Sequence, residues 1–154
     1  MSLNQWADNV WLKPHRTSQK EISSLLSIVE RDLNDAQGDI SSDWRFGIAY
    51  NAALKLCKIL LSAEGYRPAH ELQHYRTLAS LPAILGEAKK PDAKYLDDCR
   101  KKRNIVEYDE VGGTSESDAD ELIEFVKGLR DEVINWLKKN HPELFKNGNG
   151  LFLR

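Results

Sequence analysis

An all-α fold, an antiparallel bundle of four to five helices, is what this sequence predicts, and three observations predict it. Apolar residues recur at spacings of three and four over most of the chain. Serines followed by acidic residues open the apolar runs, and glycines close them. Period-two runs of β-branched residues are missing, so no sheet is expected. The connections between helical segments are short, which favours antiparallel neighbours.

Residues 1–17 read as a leader, in which Trp6, Val10, Trp11 and Leu12 precede Pro14. A short helix there would dock on the body. Residues 18–140 form that body, and 141–154 a polar tail carrying Leu144, Phe145, Leu151 and Phe152.

The first long helix opens at Ser18, with Glu21 completing a capping box. Its apolar stripe is Ile22, Leu25, Leu26, Val29, Leu33 and Ala36, and Gly38 stops it. Lys20, Glu30, Asp32 and Asn34 are expected in water. The second helix follows Ser41 or Ser42 and runs to about Glu64, ahead of Gly65. Trp44, Ile48, Ala49, Ala52, Ala53, Leu56, Ile59, Leu60 and Ala63 mark its buried side. Apolar on most faces and small in the middle, it should lie at the centre with close neighbours.

The segment Gly65-Tyr66-Arg67-Pro68-Ala69-His70-Glu71-Leu72-Gln73-His74 reads as a loop entering a third, shorter helix. Leu72, Tyr75, Leu78 and Leu81 should face inward, and Pro82 should end or kink it. The fourth helix begins near Pro91 and includes Tyr95, Leu96, Cys99, Ile105 and Val106. After Gly112-Gly113-Thr114, the last helix starts at Ser115 or Ser117, with acidic residues in its first turn as the helix dipole favours. Its stripe is Leu122, Ile123, Val126, Leu129, Val133, Trp136 and Leu137.

Composition narrows function. The 154 residues carry 22 basic and 24 acidic side chains, a net charge of -2, so a globally basic nucleic-acid binder is unexpected. A local basic patch is still allowed. Cys57 and Cys99 make neither a disulfide framework nor a metal spacing. No secretory signal is visible and no membrane association is expected, which together predict a cytoplasmic protein. Phosphate-cradling glycine loops and nucleophile motifs are missing, and no cofactor is expected.

Two constellations carry chemistry. His70-Glu71-Leu72-Gln73-His74 satisfies the HExxH string, which on a helix holds zinc with two imidazoles and uses the glutamate as base. No third ligand is evident, so His70 and His74 read first as loop and helix-surface residues, and a metal site of His70, Glu71 and His74 is the alternative. The second constellation is Arg100-Lys101-Lys102-Arg103-Asn104, with Tyr108 four residues beyond Asn104. A solvated helix face with an Arg103–Glu107 pair, contributing about 0.3–0.5 kcal/mol, is one account. The other is a groove in which Arg100, Lys102 and Arg103 contact phosphate while Asn104 and Tyr108 orient a ribose or base.

Glu30-Arg31-Asp32-Leu33-Asn34-Asp35-Ala36, the run Asn51 to Leu61 followed by Gly65, and the Arg103-Asn104 pair resemble the HEPN family of helical domains. The resemblance covers the body to about Trp136. The family's pattern has a histidine five residues after the arginine, and here that position is Tyr108. The resemblance implies a homodimer with the site at its interface, and a module that binds RNA, nucleotide or a partner protein. It also implies two alternatives. One is a metal-independent ribonuclease of the toxin–antitoxin type, with Arg103 and Tyr108 in catalytic roles and a nucleotidyltransferase-type partner. The other is a structural protein–protein interaction domain. Tyr108 argues against catalysis, because a phenol with pKa near 10 is a poor base at neutral pH.

Overall fold

Ala49, Ala52 and Ala53 have no exposed surface, and the molecule is organised around them. They lie midway along α3 (Ser42–Ala63), where the absence of bulk lets other helices approach closely. In this computed structural model, which describes residues 2–108 and 113–145 (the side chains of 106–108 excepted), α3 packs on α2 (Gln19–Ala36), α6 (Lys90–Tyr108) and α7 (Glu116–Asn140). Before them come α1 (Leu3–Asp8) and a strand, β1 (Leu12–Pro14). Between α3 and α6 lie β2 (Tyr66–Pro68), α4 (Gln73–Ala79) and α5 (Leu81–Leu85). The chain is mostly helical, as the periodicity predicts.

Local chemistry explains the helix starts. The hydroxyls of Ser18, Ser41 and Ser115 each accept the backbone N–H three residues on. Ser115 forms a full capping box with Asp118. Ser18 forms only half of its expected box. The Glu21 carboxylate turns instead to His15 Nε2 at 2.7 Å and to the Thr17 hydroxyl at 2.8 Å. The stripe of α2 is buried as expected, and so is that of α7 except Trp136, which packs against the core half-buried; α3 also buries Phe46, Tyr50 and Leu54. By length and composition α3 could cross a membrane, but 72% of its apolar window is covered by the rest of the molecule.

Several expectations are corrected. A sheet does exist: β1 and β2 pair antiparallel, with Leu12 opposite Pro68 and Lys13 opposite Arg67. Gly65, at φ 91, ends α3 and turns the chain into β2. The ladder holds the leader against the body, where Trp6 and Leu12 bury with Leu61. Trp44, in the first turn of α3, is 63% exposed and not part of the buried side. Leu72 and Tyr75 are exposed as well, since α4 starts only at Gln73 and turns Thr77 and Leu78 inward. Pro82 does not end α4, which stops at Ala79; it lies in the first turn of α5, where its missing N–H costs nothing. Asp32, expected in water, is buried. Asn51 Nδ2 donates to it at 2.8 Å, and the neighbouring Arg31 guanidinium donates at 3.0 and 3.1 Å.

Candidate nucleic-acid interface

The basic run of α6 is divided by the helical turn, as its four consecutive positions require. Arg100 and Arg103 are one turn apart and lie against tyrosine faces. The Arg100 guanidinium is 5.8 Å from the Tyr75 ring of α4, and that of Arg103 is 5.6 Å from the Tyr50 ring of α3. Arg100 Nε also donates to Asp97 at 2.8 Å. Lys102 is tied to Asp118, 2.6 Å away at the start of α7, and sits 5.8 Å from the Phe46 ring. Its ammonium is the largest reason that the Asp118 carboxyl titrates below the ordinary carboxylate range. Lys101 faces outward. Asn104 is half-buried, and Tyr108 is the last residue of α6, its side chain outside the described residues together with that of Glu107.

Of the expected phosphate contacts, the fold thus places Arg100 and Arg103 one turn apart, and pairs Arg100 with Asp97 and Lys102 with Asp118. It adds a residue that spacing had suggested for different chemistry. His74, on the first turn of α4, lies in the field of Arg103, Lys55 and Arg100. Partial desolvation first, then these three cations, hold its imidazole below the usual 6.5, so it is neutral at pH 7. Two guanidiniums can bind a phosphodiester, and a neutral imidazole within their field can accept a proton from a nearby hydroxyl. Beneath them the Tyr50 hydroxyl is buried without a hydrogen-bond partner among the described residues. Burial raises its pKa, against the pull of Arg103 and Arg100.

The zinc geometry is not formed. His70 and Glu71 precede α4, and Leu72, at φ 53, breaks the helical path between them and His74, so the two imidazoles do not share a helical face. Among the described residues no group of three His, Cys, Asp or Glu side chains is placed to hold a metal. Cys57 and Cys99 are core residues, and burial pushes their thiols up to about 12 and about 11. Neither is a nucleophile at neutral pH.

One signal for His74 was present in the sequence, but it pointed to metal. Lys55 and Lys58, which interrupt the apolar run of α3 at i and i+3, are a second signal, which matches no known motif. Comparison of the chain with protein-family models, with curated proteins and with solved structures found no match.

The depressed imidazole has a measurable consequence. A histidine whose folded pKa lies below its unfolded value binds fewer protons when folded, so stability rises with pH across that window. Stability is therefore expected to fall as pH drops from about 6.5, ahead of the carboxylate transitions. His74→Gln should flatten that part of a pH series of denaturant midpoints. An unchanged slope in the variant would remove His74 from the cationic field.

Proposed function

We propose that this chain is a HEPN-like helical bundle that binds single-stranded RNA through its phosphates, with Arg100 and Arg103 as the principal contacts. One observation carries the reading: two arginines one turn apart on α6, each laid on a tyrosine ring, with His74 in their common field. Guanidinium forks match phosphate oxygens, and the exposed Tyr75 ring offers a face on which a base can stack. The Arg103-Asn104 resemblance supports the same assignment. With it come a homodimer, a nucleotidyltransferase-type partner and a cytoplasmic setting, as parts of the proposal.

A second reading, the metal-independent ribonuclease, is favoured by the neutral state of His74. A base with that pKa can serve where Tyr108 cannot, while Arg103 stabilises charge on the phosphate.

The experiment is incubation of metal-chelated protein with labelled single-stranded RNA, wild type beside Arg103→Ala. Binding is expected to weaken about tenfold in the variant, the loss of one charge-assisted phosphate contact. RNA cleaved by the wild type and intact with Arg103→Ala selects the ribonuclease. Equal behaviour of both proteins in binding and cleavage removes the α6 arginines from function and leaves an interaction domain.

A further inference from the structure

A second basic surface adjoins the first, with His74 common to both. A cavity of about 330 Å³ opens between the residues leading into α2, the second half of α3, β2 and α4. Lys55, Lys58, Arg67 and His74 line it, with Gln73 and Thr77 as neutral hydrogen-bonding groups. Among the described residues Lys55, Lys58 and Arg67 form no ion pair. Glu21 is the one carboxylate of the lining, and His15 and Thr17 already occupy it. Lys13 lies directly opposite Arg67 in the β1–β2 ladder, a like-charge pair that is unfavourable when nothing negative lies beside it.

We propose that this cavity is a binding site for a phosphate monoester. Two lysines from adjacent turns of α3 and an arginine from a strand supply three positive charges from two directions. A monoester carries close to two negative charges at neutral pH and three terminal oxygens, which suits that set better than a carboxylate with one charge and two oxygens. The volume admits a phosphate together with its sugar, at the small end of ligand cavities. The field supports the assignment. Desolvation lowers the Lys55 pKa first, and Lys58 and Arg31 lower it further while Asp32 opposes them. An anion in the cavity relieves the repulsion among these cations. The same chemistry is found in a free nucleotide and in the terminal phosphate of an RNA, and neither α6 arginine lines the site.

The test is calorimetric titration of the full chain with a nucleoside 5′-monophosphate, and with one short RNA bearing either a 5′-phosphate or a 5′-hydroxyl. Saturable binding is expected. The double variant Lys58→Ala/Arg67→Ala should weaken mononucleotide binding by at least about tenfold, whereas Arg103→Ala, which weakens RNA binding, should leave mononucleotide binding within about threefold. Both mutated side chains are solvent-exposed, so an unchanged circular dichroism spectrum and melting curve certify the fold. Preference for 5′-phosphate over 5′-hydroxyl RNA identifies an RNA end as the ligand. Binding of the mononucleotide without that preference identifies a free nucleotide. Absence of saturable binding by every monoester, or binding that the double variant leaves unchanged, overturns the proposal. Loss of RNA binding in Arg103→Ala with monoester binding intact separates this site from the α6 interface.

Discussion

Leu56→Ala is expected to lower the free energy of unfolding by about 3 kcal/mol, within the range of about 2–5 kcal/mol for truncating a buried leucine. Leu56 has no exposed surface and lies on α3, against which α2, α6 and α7 all pack. A cavity left there lies on a helix held by three neighbours, so α3 is not free to shift and fill it. Small domains have only about 5–15 kcal/mol in total, so the change is a large fraction of stability. Urea unfolding with an unchanged denaturant slope is the measurement. A loss below about 1 kcal/mol would mean that the site collapses easily and that α3 is not the rigid centre described.

Asp32→Ala should cost about 2 kcal/mol and should also alter the charge on the neighbouring face of α3. The carboxylate is 6% exposed and accepts Asn51 Nδ2 at 2.8 Å, and hydrogen bonds to charged groups contribute about 1.5–3 kcal/mol. Arg31 adds little to that figure, because its own side chain is 63% exposed and well screened. Removing the carboxylate strands the Asn51 amide and takes away the charge that favours protonated Lys55. The Lys55 pKa should fall further, which NMR titration of its side chain would report. Asp32→Asn keeps a carbonyl to accept the Asn51 amide, so it should spare part of the stability and still lower the Lys55 pKa. If Asp32→Asn leaves that pKa unchanged, the buried carboxylate does not act on Lys55.

The helical framework was legible because its signals are local. Serine caps, three-and-four spacing and a terminal glycine or lysine pair lie within a few residues of what they determine, and α2, α3 and α7 follow them. The errors came where a distant partner decides. Asp32 reads as polar and therefore exposed until Asn51, 19 positions away, supplies a donor. Two strands of three residues carry too little sequence to show alternation, and each exists because the other does. Trp44 fits the stripe of α3, but it lies on the solvent side of that helix's first turn, 63% exposed. At the candidate site the arginines were visible as a charged run. Their division between Tyr75, Tyr50 and Asp118 was not, because it depends on which helix meets each side of α6. His74 and the lysines of α3 were printed in the sequence, with nothing local to say that they meet.

The attachment of the leader has a consequence for motion. Residues 2–14 are held by one short ladder, the Trp6–Leu12–Leu61 cluster, the Tyr66 hydroxyl donating to Asn4 Oδ1 at 2.7 Å and the Arg76 guanidinium 4.1 Å over the Trp11 ring. Against these act the left-handed backbone of Val10, at φ 62, and the entropy of the ordered segment. Such a segment is expected to open as a cooperative sub-global unit while α2, α3 and α7 stay folded. Its release strips β2 of its partner strand, and β2 carries Arg67. Amide hydrogens of Lys13, Arg67 and Ala69 should therefore exchange together, earlier than those of α3. A monoester that requires Arg67 in place would slow all three at once, so a ligand on one face of α4 would be registered as order at the far end of the leader.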